Sequence, residues 1–101
     1  ELLQIENLGL CERGQGGPHT ESGATSLGGI TPVNVSGGLV SKGHPIAATG
    51  LVQIHELVTQ LRHEAGARQV QGARTAVAEN GGGFLHYEDA AAVVTVLSNR
   101  L

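Results

Sequence analysis

The stretch SKGHPIAATG, residues 41–50, joins a glycine-rich turn to the longest periodic segment of the sequence. Within it, His44 stands between Gly43 and Pro45, directly before a predicted helix. A backbone fixed on both sides can aim an imidazole into a cleft, and the positive end of a helix dipole favours the neutral ring. The alternative is a partly exposed histidine at an ordinary turn, and the local sequence leaves both interpretations open.

The segment from Ile46 to Glu64 has the clearest helical pattern, and Gly66 follows it as a natural stop. Apolar residues recur at helical spacing and predict a stripe that packs on a sheet: Leu51, Ile54, Leu57, Val58 and Leu61. Polar residues occupy the predicted outer face: Glu56, Thr59, Gln60 and His63.

Two apolar segments follow the helix, ARTAVAEN at 73–80 and AAAVVTVLS at 90–98, and both predict buried strands. Their connection is too short for a parallel crossover, so they are expected to pair antiparallel. Between them, the glycines at 81–83 predict a tight turn. Alternatively, glycines let backbone N–H groups approach a ligand oxygen closely, as an oxyanion hole requires.

The first third of the chain is less regular. Residues 1–8 predict the end of a helix that stops at Gly9, and residues 11–32 predict a long loop without periodicity. The β-branched run PVNVSGG, residues 32–38, predicts a strand. The predicted order is therefore helix, loop, strand, helix, strand, strand, an α/β fold with helices packed on a mixed sheet.

Composition narrows the possible functions. The 101 residues form one domain at most, and the net charge of −3 without a basic run excludes a nucleic-acid partner. No apolar stretch reaches the roughly 18 residues of a membrane span. One cysteine, Cys11, excludes an internal disulfide and indicates a reducing compartment, while the histidines lack metal-ligand spacing. Because the sequence contains no methionine, we expect it to be part of a larger protein.

Two motifs together are more specific than either alone. The segment NVSGGLVSKGHPIAATG, residues 34–50, precedes ENGGGF, residues 79–84, by some thirty residues. Their combination resembles the C-terminal half of a thiolase, within the branch of sterol-carrier-protein-type and lipid-transfer-type thiolases. The resemblance extends over essentially the whole chain, which it identifies as a thiolase C-terminal domain, 1–101, without the N-terminal half that carries the nucleophile.

The resemblance implies roles for two positions. His44 matches the histidine that activates the nucleophilic cysteine of the first half and helps to bind the thioester oxygen. Gly81 is the closest match to the glycine whose backbone N–H serves an oxyanion hole. Glu79 departs from the pattern, because many thiolases have a second catalytic cysteine there. The sterol-carrier-type branch instead has such a cysteine in a His-Asp-Cys-Phe motif, expected upstream of this chain, and Cys11 is expected to be structural.

The implied chemistry is acyl transfer that uses coenzyme A, as thiolysis of a 3-ketoacyl-CoA or as Claisen condensation of acyl-CoA. Coenzyme A and acyl-CoA are substrates, and no metal or bound cofactor is expected. The resemblance also implies association with the N-terminal half, a homodimer or tetramer, and a place in lipid metabolism in the cytoplasm, peroxisome or mitochondrial matrix. The alternatives are a retro-aldolase acting on steroid side-chain CoA thioesters and a non-catalytic scaffold subunit.

Overall fold

The computed structural model describes the backbone of residues 1–100, and their side chains other than that of Glu88. Four helices precede a β-hairpin: α1 (Leu2–Asn7), α2 (Gly16–Glu21), α3 (Gly38–Lys42), α4 (Thr49–Leu61), β1 (Thr75–Leu85) and β2 (Glu88–Ser98). A 3-10 turn, Gly66–Arg68, follows α4. The predicted α/β class is confirmed, and the sheet formed by the described residues is this two-stranded antiparallel hairpin.

The hairpin packs on α4, which runs antiparallel to β1. The side-chain amide of Gln53, near the start of α4, donates to the carbonyl of Glu79 at 2.9 Å. At the other end of the helix, the Asn99 amide donates to the carbonyl of Leu61 at 3.0 Å. The buried apolar residues are few: Ile5, Leu61, Ala65 and Ala78.

The predicted strand over residues 32–38 is wrong. Asn34 has a φ of +50°, outside the extended region. Its carbonyl accepts a 2.7 Å bond from the N–H of Gly37, which closes a turn. The helix α3 then begins at Gly38. The β-branched residues suggested a strand, but an Asn that tolerates the left-handed region and the Gly37–Gly38 pair favour a turn here.

The predicted loop over residues 11–32 contains α2, whose start depends on Glu6. The carboxylate of Glu6 accepts a 2.8 Å bond from the backbone N–H of Gly16, the first residue of α2. This bond holds α2 against α1, and Gly16 is buried there. A larger residue would not fit at this position, because its Cβ would meet Glu6 and the carbonyl of Leu2. Sequence periodicity does not reveal so short a helix, because a distant side chain fixes it.

Helix α4 is shorter than predicted at both ends. Ala47 has a φ of +70°, so the helix begins at Thr49 rather than Ile46. At the other end His63, with a φ of +60°, takes the left-handed position that was predicted for Gly66. The N–H groups of His63 and Glu64 bond the carbonyls of Gln60 and Thr59, the pattern of a Schellman cap.

The predicted outer face of α4 is also wrong at two positions. Glu56 and Gln60 are buried, whereas Leu51 of the predicted apolar stripe is exposed. Arg68 folds back to bond both carboxylate oxygens of Glu56, with Nε at 3.0 and 3.2 Å and an Nη at 3.0 Å. The Gln60 amide bonds Glu56 and the carbonyl of Arg68. These bonds satisfy the buried polar groups of Glu56 and Gln60, whereas the spacing of the apolar residues alone predicts that both side chains face solvent.

Candidate functional site

The loop between α3 and α4 holds His44 at the N-terminal end of α4. Gly43 has a φ of +74°, a conformation that favours glycine, and it redirects the chain after α3. The carbonyl of Pro45 accepts bonds from the N–H groups of Ala48 at 2.9 Å and Thr49 at 3.1 Å. The backbone is therefore fixed on both sides of His44, while its side chain is exposed.

A hydrogen bond to Thr49 fixes the His44 ring. The Nδ1 atom of His44 lies 2.7 Å from the hydroxyl oxygen of Thr49, a residue only 7% exposed. The same hydroxyl lies 3.3 Å from the carbonyl of Pro45. Because Nδ1 is engaged, Nε2 is the ring nitrogen left for a substrate or a neighbouring thiol.

The hydroxyl of Thr49 accommodates either tautomer of His44. When Thr49 donates to the carbonyl of Pro45, Nδ1–H of His44 donates to the hydroxyl, and Nε2 carries the lone pair of a base. When Thr49 donates to Nδ1, Nε2 carries the hydrogen and can donate to an oxygen. The pair therefore suits both roles that the resemblance implies for His44. The sequence analysis did not select Thr49, because a threonine in a first helical turn normally indicates a cap.

The glycines at 81–83 do not form the predicted turn. They lie inside β1, where Gly81 pairs with Ala92 and Gly82 with Ala91. The turn lies further on, at His86 and Tyr87, and His86 has the positive φ of +59° that the first position of such a tight turn accepts. Gly81 and Gly82 pair with alanines, whereas Gly83, with a φ of +70°, has no partner in the register; the sequence pattern did not predict this strand.

The structure brings the glycine run to the same end of α4 as His44. A Cβ on Gly50, the second residue of α4, would lie 3.9 Å from the side-chain oxygen of Asn80. Gln53 bonds the carbonyl of the preceding residue, Glu79. Gly81 therefore follows directly after the part of β1 that contacts the start of α4.

The carboxylate of Asp89 lies directly against Gly81. Any Cβ at Gly81 would occupy the position of this carboxylate. Because Asp89 is exposed and its side chain can move, this contact favours Gly81 without requiring it, and Gly81 is also suited to close approach of a ligand. A negative charge beside Gly81 also opposes a developing oxyanion, so the Asp89 side chain must turn away when Gly81 N–H binds one. Sequence spacing gave no sign of this contact, because it depends on the register of the hairpin.

The remaining candidates have different surroundings. Cys11 is half-buried; burial raises the pKa of its thiol, and the Glu6 carboxylate raises it further. A thiol with a raised pKa forms little thiolate, which suits a structural residue better than a nucleophile. Glu79 is half-buried on β1.

Among the described side chains of residues 1–100, which exclude Glu88, no group of three or more histidine, cysteine, aspartate or glutamate residues is placed to hold a metal ion. No described helix is both long and apolar enough to cross a membrane.

The family described as "Thiolase C-terminal domain-like" matches residues 1–99. The chain therefore belongs to this family of thiolase C-terminal domains. It is 56% identical over 80 residues to "Sterol carrier protein 2" of Rattus norvegicus, covering 79% of this chain and 15% of that protein. It is 51% identical over 82 residues to "Acetyl-CoA acetyltransferase" of Methanothermobacter thermautotrophicus, covering 81% of this chain and 21% of that protein. The "Benzoylsuccinyl-CoA thiolase subunit BbsB" of Thauera aromatica is 42% identical over 71 residues, covering 70% of this chain and 18% of that protein.

These relatives confirm the predicted branch, since sterol carrier proteins and thiolases both match. The matched region is about a fifth or less of each relative's length, from 15% to 21%. The chain thus corresponds to one portion of much longer proteins.

Proposed function

We propose that this chain is the C-terminal portion of a thiolase that transfers acyl groups to or from coenzyme A. The reaction is thiolytic cleavage of a 3-ketoacyl-CoA, or its reverse, a Claisen condensation of acyl-CoA. The observation that carries the proposal is the 2.7 Å contact between His44 Nδ1 and the buried Thr49 hydroxyl. Because this contact occupies Nδ1, Nε2 of the exposed His44, between Gly43 and Pro45, remains available to a substrate or a thiol.

His44 serves as the base for a cysteine supplied by another part of the full-length protein. A free cysteine has a pKa of about 8.5 and is only a few per cent thiolate at neutral pH. Nε2 accepts the thiol proton as the sulfur attacks the thioester carbon. In the other tautomer, Nε2–H donates to the thioester oxygen. Thr49 keeps the ring in place in both states.

Gly81 supplies a backbone N–H to the oxyanion of the tetrahedral intermediate, after Asp89 has moved away from it. Coenzyme A and acyl-CoA take part as substrates, without a metal or a bound cofactor.

The full protein is a homodimer or tetramer that acts in lipid metabolism. Its compartment is the cytoplasm, or a peroxisome or mitochondrial matrix in a eukaryote.

The test compares the full-length protein with the 101-residue chain. Acetoacetyl-CoA and longer 3-ketoacyl-CoA substrates are incubated with each, with and without free coenzyme A. We expect cleavage by the full-length protein only, and only when free coenzyme A is present, because thiolysis consumes it. Cleavage of a steroid side-chain thioester without free coenzyme A would instead indicate the retro-aldolase.

Two results would contradict the proposal. Binding of acyl-CoA by the full-length protein without turnover of any substrate would indicate a non-catalytic subunit. Cleavage that requires coenzyme A but is catalysed by the 101-residue chain alone would show that no second half is needed.

A further inference from the structure

The distal half of the hairpin extends past the end of α4 at which His44 lies. The 13 residues of α4 span about 20 Å at roughly 1.5 Å per residue. The contacts of α4 with the hairpin run from Leu61, which bonds Asn99 directly after β2, to Gly50 and Gln53, beside Asn80 and Glu79 of β1. The rest of β1, Gly81–Leu85, continues for about 15 Å beyond the helix.

Both aromatic residues of the chain lie at the free end of this extension. Phe84 is 89% exposed and Tyr87 is 98% exposed, while the few buried apolar residues are aliphatic. Exposed aromatic side chains on a projecting turn are a typical means of binding an apolar ligand or partner, because they offer a large contact area with few rotatable bonds. We define Phe84 and Tyr87 as the aromatic tip.

We propose that the aromatic tip contacts the distal part of the acyl group of the CoA thioester and thereby favours long or bulky acyl groups. This inference rests on the proposed function. If the thioester carbon lies at Gly81, the acyl group can follow the hairpin, because none of the described helices covers this part of it. From Gly81 to the tip the strand advances about 13 Å. With C–C bonds of about 1.5 Å, an extended chain of roughly ten carbons covers that distance.

The charges nearby favour the acyl group over the other end of the substrate. Asp89 lies against Gly81, and Glu79 precedes it by two residues. These carboxylates repel the phosphates of coenzyme A, so the phosphates lie elsewhere. An uncharged acyl chain meets no such repulsion, and each of its CH₂ groups that is buried on the tip strengthens binding by about four-fold.

The test uses the full-length protein with Phe84→Ser, Tyr87→Ser and both changes together. Ile30→Ser is the matched control, because Ile30 is 84% exposed and its loop lines a surface cavity together with Gln69 and Val70, near the opposite end of α4. The kcat/KM for thiolysis is measured with acetoacetyl-CoA, 3-ketooctanoyl-CoA and 3-ketopalmitoyl-CoA. We expect the double variant to lose about ten-fold or more with 3-ketopalmitoyl-CoA and less than about two-fold with acetoacetyl-CoA. Ile30→Ser leaves the ratio unchanged.

An equal change of kcat/KM for all three substrates, or no change, would overturn the role of the tip while leaving thiolase activity established. A fall of several degrees in the melting temperature of the full-length double variant would also overturn it, since the tip would then be packed against other protein. A parent protein inactive on every thioester would overturn the proposed function and this inference together.

Discussion

At the scale of single residues, His44 depends on a partner five positions along the chain. Thr49 reaches Nδ1 of His44 across a turn in which Ala47 takes a positive φ of +70°. An alanine rarely adopts a positive φ, and the cost is offset by the bonds to the carbonyl of Pro45. The turn thus places a buried hydroxyl beside an exposed imidazole.

In the full-length protein, His44→Ala should slow alkylation of the nucleophilic cysteine by iodoacetamide at neutral pH. It should also lower kcat by about two to four orders of magnitude, the usual effect of losing a general base. Thr49→Val removes the bond to Nδ1, together with the longer contact to the carbonyl of Pro45, and should cost about five- to 150-fold, while Thr49→Ser restores activity. His55→Ala, an exposed residue of α4, is the control. Equal alkylation rates and kcat for the His44 and His55 variants would contradict the assignment.

Gly81→Val tests packing and chemistry at one position. The new side chain collides with the carboxylate of Asp89, so the melting temperature of the full-length protein should fall along with kcat. Adding Asp89→Gly removes the collision and should restore the melting temperature. If Gly81 N–H binds the oxyanion, kcat should stay about 10²- to 10³-fold low in the double variant because the β-branched side chain shifts the backbone. Full recovery of kcat would reduce Gly81 to a packing residue.

At the scale of elements, the sequence predicted those whose pattern is local. The periodicity of α4, the stop of α1 at Gly9 and the two strands are confirmed, with ends shifted by a few residues. The predicted burial of the strands is wrong, because Val93, Val94 and Val96 are each more than half exposed.

The sequence pattern failed where a distant group decides the structure. Helix α2 depends on Glu6, and the buried face of α4 depends on Arg68 returning to Glu56. The glycine run lies in β1, where Gly81 and Gly82 pair with alanines of β2.

The Glu56–Arg68 pair should make the Gly66–Val70 segment sensitive to acid. Burial alone raises the pKa of Glu56, but hydrogen bonds from Arg68 and Gln60 and the charges of Arg68 and Lys42 outweigh it and lower the pKa overall. The ionised form therefore stabilises the fold above the unfolded pKa of about 4.3, and this contribution is lost as the pH falls through the lower folded pKa.

Hydrogen exchange of the Val70 amide, which donates to the Gln60 side chain at 2.8 Å, measures this contribution in the full-length protein. After correction for intrinsic rates, Glu56→Gln should lower its protection at about pH 6, and this loss should shrink as the pH is lowered from about 6 toward 3. The Ala78 amide of β1 is the internal control. A difference between parent and variant that stays constant over this pH range would contradict the role of the Glu56 charge.

At the scale of the whole molecule, the described residues bury little apolar surface. Alternation along the hairpin turns Ala78 toward α4 and leaves three valines on the other side: Val77, Val94 and Val96. We call these three residues the outer face of the hairpin. Leu51 of α4 is exposed as well, although its position in the helical pattern predicts burial. Sequence periodicity identifies apolar faces, but it does not say which of them this chain covers by itself.

The isolated 101-residue chain should therefore associate in solution. Its outer face is apolar, and within the described residues each strand of the hairpin has one edge without a partner strand, which also favours intermolecular pairing. Light scattering across a wide concentration series should show a mean mass that rises with concentration.

Val94→Lys places a charge in the middle of the outer face and should lower that mass. Val40→Lys, at a fully exposed residue of α3, should have little effect because that site lies apart from the hairpin. A parent chain that stays monomeric and melts cooperatively at high concentration would show that the outer face needs no cover. Equal effects of the two lysine variants would mean that net charge, rather than the outer face, controls association.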